Sequence, residues 1–313
     1  MTDRNRITLS RRQTLAMGAG LGLAAALPHA VFAQSAPVLR RPIPRSGEML
    51  PVVGLGTAVI FEYEAHEPQQ AERTKVIQTM IAGGSSLIDT APSYGQAEER
   101  VGEIISALKA RDKIFLATKV RVAERTATEA EMRRGLQKLR TDKLDLMQLH
   151  NVREPNQSLA QLREWQQQGI CRYVGMTSSF VRDYDAVAAT LAREKPDFFQ
   201  INYSLADRES EAKLLPLAQD VGAAVLINLP FGRGKLFKAA GNRPLPGWAT
   251  EIGATSWAQV FLKFLLSHPA VTAVIPGSDK PEYMTDNLNA ARTQLPDAAM
   301  RKTMIAFWES IAG

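Results

Sequence analysis

Asp89, Tyr94, Lys119 and His150 are titratable residues of four different kinds. The carboxylate and the phenol stand five residues apart in SLIDTAPSYGQ. The lysine closes the apolar run IFLATK, and the histidine closes LDLMQLH. Brought together, these types make a proton-transfer device. A free tyrosine has a pKa of about 10, too high for ready proton exchange at neutral pH. An ammonium within ~4–6 Å favours the phenolate and lowers that value. A carboxylate keeps the lysine charged and in place, and a histidine beside the hydroxyl orients a carbonyl oxygen. Tuned in this way, the phenol protonates a carbonyl oxygen as hydride reaches the carbon, or takes the proton back in reverse. Each residue alone has an ordinary reading: a capping aspartate, a packing tyrosine, a surface lysine, a loop histidine. Lys119 is the least ordinary, because a charge after IFLAT is costly without a partner. Asp89 is its natural partner.

The elements around these residues must bring them to one place. Eight short runs read as strands: 52–56, 85–89, 114–119, 144–150, 171–176, 197–202, 223–228 and 270–275. Several have almost no polar alternation, as expected of parallel strands covered on both faces. Between them the period shifts to 3.6: Val101, Ile104, Ile105 and Leu108 share one helix face, as do Trp257, Val260, Phe261, Phe264 and Leu265. Thr126–Glu129 and Ser256–Gln259 read as capping boxes. Eight strand–helix units predict an α/β (β/α)8 barrel. The rival is a doubly wound sheet, but the first strand ends in Gly54-Leu-Gly56-Thr57 without the third glycine of a dinucleotide fingerprint. Residues 40–51 are expected to form an N-terminal hairpin. Residues 297–312 should form a last helix, with Met300, Met304, Phe307 and Trp308 on one side. In a barrel the C-terminal strand ends meet at one mouth, so the four residues converge there.

That set, in that order along a barrel, resembles the tetrad of the aldo/keto reductase family. The likeness runs over residues 42–295 and includes LPVVGLGT (50–57), LIDTAPSYGQAEERVGEII, FLATKV (115–120), LDLMQLHN (144–151), QINYS (200–204) and VIPGSDKPEYMTDN (274–287). The resemblance implies hydride transfer between a nicotinamide cofactor and an aldehyde or ketone, with Asp89, Tyr94, Lys119 and His150 catalytic. It implies an extended NADP across the mouth, with NAD as the alternative. Gln200, Thr177 and Ser178 would hold the nicotinamide carboxamide. Gly56 and Thr57 would lie near its ribose. The loop NLPFGRGKLF (228–237) would meet the pyrophosphate through Pro230, Phe231, Gly232, Arg233 and Gly234. Gly277, Ser278 and Lys280 would face the adenosine 2′-phosphate, with Asp286 and Asn287 at the adenine. Two departures stand out. Asn228 replaces a tyrosine that in many relatives stacks on the nicotinamide, and Tyr283 stands where some have an arginine. The run GRGK lacks the spacing of a phosphate-binding P-loop.

The first 33 residues follow another logic. A basic stretch, MTDRNRITLSRRQTLA, leads into a run from Leu15 to Ala33 without Lys, Arg, Asp or Glu, ending in VFA. Basic, apolar, then small residues make an export signal. Arg11-Arg12 after Ser10 resembles the twin-arginine type, apart from Thr14 where a bulky apolar residue is usual. An uncleaved anchor is the rival; the Gly/Ala-rich run carrying Pro28 argues against it. The expected organisation is a removed signal (1–33), a connector (34–45) and a barrel (46–313), with a periplasmic destination and the twin-arginine machinery as partner. GAGLG (18–22) mimics a dinucleotide fingerprint but follows no strand. The signal carries +3 of the formal charge of +6, which leaves no case for nucleic acid. The single cysteine, Cys171, reads as a core residue, and no Cys/His cluster has metal spacing. The substrate class is a small carbonyl or sugar-like molecule, with Arg153 a candidate contact for an anionic one. Besides the reductase, an exported NADP-holding sensor with little turnover fits Asn228 and an address poor in NADPH. A lyase or isomerase barrel would need a metal site or a second carboxylate that does not stand out.

Overall fold

A hairpin of β1 (Arg40–Pro42) and β2 (Met49–Pro51), paired antiparallel, opens the computed structural model, which describes residues 36–65, 68–121 and 124–311. The expected signal over 1–33 lies outside the described residues. Of the expected connector, Arg40–Pro42 is already a strand of the hairpin. Eight parallel strands follow: β3 (Leu55–Gly56), β4 (Leu87–Asp89), β5 (Phe115–Val120), β6 (Leu144–Leu149), β7 (Cys171–Ser178), β8 (Phe198–Asn202), β9 (Ala224–Asn228) and β10 (Val271–Val274). Each pairs with its sequence neighbour. Parallel bridges Val53–Val274 and Gly56–Gly277 join the first strand to the last and close the ring. At this seam a Cβ on Gly56 would fall 2.6 Å from the Ile275 carbonyl oxygen, so only glycine lets the two backbones meet.

The helices are α1 (Gln69–Ala82), α2 (Ala97–Ala107), α3 (Arg125–Lys138), α4 (Ala160–Gln167), α5 (Tyr184–Glu194), α6 (Leu214–Asp220), α7 (Lys235–Ala240), α8 (Trp257–Leu266), α9 (Pro281–Asn289) and α10 (Ala298–Ile311). The fold is the expected (β/α)8 barrel with an N-terminal hairpin and a C-terminal helix. At Ser256 the serine half of the box forms, its hydroxyl accepting from the Gln259 N–H, while the Gln259 side chain accepts from the Thr255 N–H. The box at Thr126 does not form. α3 begins two residues earlier, at Arg125, and the Glu124 carboxylate caps it by accepting from the N–H groups of Thr126 and Ala127. A longer acceptor two residues upstream takes the first-turn donors in its place.

Inward-facing side chains alternate along each strand, and their character changes from floor to mouth. The floor is apolar: Leu87, Phe115, Leu146, Tyr173, Phe198 and Leu226 pack with Ile43 and Leu50 of the hairpin. Two residues further along the same strands come Asp89, Gln148, Gly175, Gln200 and Asn228, and four beyond Phe115 comes Lys119. Gly175 leaves room for its neighbour, since a Cβ there would stand 3.0 Å from the Gln148 Cγ. Period two thus places a polar layer directly on an apolar one.

Candidate active site

The polar layer is built around a buried ion pair. Lys119 Nζ donates to Asp89 Oδ2 at 2.7 Å and to the Thr90 carbonyl at 2.8 Å, and both charged side chains are almost fully buried. The other Asp89 oxygen, Oδ1, accepts from Gln148 Nε2 at 3.1 Å and Gln200 Nε2 at 2.9 Å. The carboxylate is therefore fixed by three donors from three strands. Tyr94, in the loop after β4, places its ring 5.0 Å from Lys119 Nζ. The His150 ring meets the Tyr94 ring edge-on at 6.0 Å. The four residues predicted to converge do so. Asp89, Tyr94 and His150 line a cavity of about 560 Å³ at the barrel mouth, with Lys119 immediately behind them.

Burial and charge set the protonation states. Burial raises the Tyr94 phenol; Lys119 pulls it back down, but the net direction is up. The expectation that the lysine would leave Tyr94 below its ordinary value is thus corrected: desolvation outweighs the ammonium. Burial disfavours the Lys119 ammonium, yet Asp89 and Tyr94 outweigh that and raise it, so the lysine stays charged. His150 is pushed down to about 3 by burial, then by Lys119, Arg121 and Arg153. It is a neutral imidazole at ordinary pH. The site can present a protonated phenol and a neutral N–H donor to one oxygen atom, with the fixed ammonium behind the phenol.

Most of the cofactor residues read from the sequence also gather here. Gly56, Thr57, Thr177, Gln200, Asn228, Pro230, Phe231, Arg233, Gly234 and Gly277 line the same cavity. Thr57 is anchored through its N–H and hydroxyl to the Asp89 carbonyl. Gly232, Arg233 and Gly234 are successive left-handed residues, with φ of 57°, 54° and 83°; the Gly232 and Gly234 N–H groups are already taken by the Leu229 and Phe231 carbonyls, so the loop's charge for a phosphate is that of Arg233. A second cavity of about 440 Å³ adjoins the first through the shared walls Phe231 and Gly277, and is lined by Trp257, Tyr283, Asp286 and Asn287. An aromatic compartment with polar ends, joined to a polar mouth past a glycine-rich turn, fits an extended dinucleotide. The Asn228 Oδ1 is buried without a partner.

Other residues stand differently. Ser178 ends β7 and is fully buried; Ser179, the next residue, reaches the cavity instead. Thr177 Oγ1 already accepts from the Asn151 N–H. Ser278 is buried and accepts from Asn287 Nδ2, and Asp286 accepts from Ser256 and Gln259, which ties α9 to the start of α8. Lys280 and Gly232 are not on either cavity wall; the Lys280 ammonium lies 5.6 Å from the Tyr283 ring. Cys171 is buried, as expected, and burial pushes its thiol up to about 12. Sequence reasoning missed Gln148, Ser179 and Phe180. Gln148 had a signal: it precedes His150 by two and shares its strand face. Among the described residues no helix is long and apolar enough to cross a membrane.

Comparison with known proteins decides the family: the model of the aldo/keto reductase family matches residues 52–305. The chain belongs to the aldo/keto reductase family. As a member it is an NAD(P)-dependent oxidoreductase. Aldo-keto reductase YhdN of Bacillus subtilis is 31% identical over 199 residues, a match spanning 59% of this chain and 59% of that protein. Methylglyoxal reductase YeaE of Escherichia coli is 29% identical over 267 residues, 82% of this chain and 90% of that one. A crystal structure of an aldo/keto reductase from Klebsiella pneumoniae in complex with NADP and acetate superposes with a TM-score of 0.69 at 25% identity, covering 84% of this chain and 93% of the other.

Proposed function

We propose that this aldo/keto reductase reduces a small aldehyde or ketone to the alcohol, or runs the reverse, with NADP as cofactor and Tyr94 as general acid and base. The observation that carries this reading is the buried Lys119–Asp89 pair seated behind Tyr94 and beside neutral His150, with Asp89, Tyr94 and His150 on one cavity. When bound, the reduced nicotinamide supplies hydride. His150 holds the carbonyl oxygen through its N–H. Tyr94, kept protonated by burial, donates to that oxygen as charge develops, and Lys119 stabilises the phenolate left behind. Gln148 and Gln200 keep Asp89 turned towards Lys119. In this reading Arg233 of the left-handed turn meets the pyrophosphate, Trp257 and Tyr283 flank the adenine, and Thr57 and Thr177 border the nicotinamide. The NADP bound by the Klebsiella relative supports that cofactor, and Lys280 favours a 2′-phosphate by its charge. NAD remains the alternative because Tyr283 supplies no charge.

Export by the twin-arginine route belongs to the same proposal. It is supported by the sequence around Arg11-Arg12 alone. A route for folded proteins would let the chain load cofactor before it leaves the cytoplasm. Purified protein preloaded with NADPH and mixed with small aldehydes and ketones should lose the absorbance of the reduced nicotinamide in one turnover. Tight binding without oxidation across the panel would favour the sensor reading, for which Asn228 in place of a stacking ring is the motive.

A further inference from the structure

The wall of the mouth formed by the loops after β6 and β7 has a chemistry that hydride transfer does not require. Phe180 lines the main cavity. Two exposed guanidinium groups lie over its ring just outside the cavity wall, Arg153 at 5.7 Å and Arg182 at 4.8 Å from the centroid. Arg153 follows His150 by three residues. Stacking on an aromatic face fixes a flexible arginine while leaving its N–H edges free. Among the described residues Arg153 makes no ion pair; only its backbone N–H is engaged, by Gln157. Arg182 has its sequence neighbour Asp183 at 3.6 Å, on the Nε edge. The charge reaches the reacting end, since Arg153 is one of the cations that hold His150 in its neutral form. The carboxylate nearest the reacting groups, Asp89, is locked to Lys119. These arginines also stand apart from the glycine-rich turn after β9 and the α9 region after β10, where the cofactor phosphates belong.

We propose that Arg153 and Arg182, held on Phe180, form a subsite for an anionic group, carboxylate or phosphate, that the carbonyl substrate carries away from its reacting carbon. Phe180 packs against the intervening carbon chain, and the two guanidinium edges take the oxygens in charge-assisted hydrogen bonds. This deepens the reductase reading and rests on it. A neutral aldehyde uses only the tetrad; an anionic one uses both ends of the mouth.

The test compares kcat/KM for 4-carboxybenzaldehyde with benzaldehyde, and for glyceraldehyde 3-phosphate with glyceraldehyde, in the intact protein. The wild type should prefer the charged member of one pair, and the pair identifies carboxylate or phosphate. In Arg153→Ala/Arg182→Ala that preference should fall about tenfold, in keeping with two partly exposed ion pairs, and Arg153→Lys/Arg182→Lys should recover part of it. Added salt should erode the preference in the wild type. Equal turnover of charged and neutral members, or an equal loss on both in the alanine variant, would overturn the subsite. If no aldehyde is reduced, the reductase reading fails. Calorimetric binding of 4-carboxybenzyl alcohol against benzyl alcohol to the NADP-loaded protein then decides the subsite: a preference that the alanine variant abolishes supports it, and no preference overturns it.

Discussion

The floor and the mouth of this barrel are made by the same strands and the same inward-facing positions, yet they obey different rules. At the floor, Phe115, Tyr173 and Phe198 pack on one another with centroids 5.5–6.0 Å apart. Only the Tyr173 hydroxyl reaches outside the layer, to Ser46 and Glu48 of the hairpin turn. One layer up, the side chains at the same strand phase are Asp89, Lys119, Gln148 and Gln200, and every one depends on the others for hydrogen bonds. An apolar layer is stable through the area it removes from water. A buried polar layer is at best neutral against an apolar one of equal volume. The mouth is therefore a place where the fold forgoes stability to hold groups in a chemically useful state, and the floor supplies the rigidity that makes this tolerable.

The contrast can be broken by mutation. Phe198→Ala at the floor should remove about 3–5 kcal/mol of stability, the usual cost of an aromatic-to-alanine core cavity, and leave kcat/KM within a few-fold; denaturant unfolding and steady-state kinetics on one preparation check this. Lys119→Met at the mouth leaves Asp89 with amide donors only. It should lose about 3 kcal/mol, as for one partner removed from a buried pair, and also lose activity. Its remaining activity should depend on pH with the alkaline limb moved upward, because the ammonium that lowers the Tyr94 phenol is gone. Gln148→Leu sharpens the comparison. The Gln148 Oε1 is buried without a partner, so stability should hold or rise, whereas kcat/KM should fall about tenfold as Asp89 loses a donor. A variant that lost both equally would place Gln148 with the floor.

A further expected effect is in pH. The unfolded chain protonates His150 near pH 6.5, whereas the folded chain does so only near 3. Between those values the unfolded state binds more protons, so the contribution is fully present above pH 6.5 and is lost as pH falls towards 3. His150→Gln should flatten the decline of Tm over that window, read by calorimetry at several pH values. His268, also held down by burial, leaves a residual slope. An unchanged slope would mean that His150 titrates alike in the folded and unfolded chains.

Much of this was legible from the residues. Largely apolar runs such as IFLAT and AAVLI announce strands covered on both faces, and the tetrad stands at strand ends where topology brings it together. What was hidden depends on contacts between distant segments. Gly56 reads as a cofactor residue, but the approach of Ile275 at the seam makes glycine obligatory there whatever binds. Gln200 reads as a carboxamide ligand, and its amide points to Asp89. Ser178 and Ser179 exchange places because β7 runs two residues further than its apolar pattern suggests, turning the expected serine into the wall. The Tyr94 phenol was read from its charged neighbour; the depth of its burial, which only the folded chain reveals, reverses the direction.

The most direct test of the account is a single turnover of NADPH-loaded protein with an aldehyde that the wild type reduces, in parallel with Tyr94→Phe. The account expects the phenylalanine variant to bind NADPH as the wild type does, to unfold at the same temperature within about a degree or two, and to transfer hydride at least ~100-fold more slowly. Hydride transfer at the wild-type rate in a folded, cofactor-loaded Tyr94→Phe protein would contradict it.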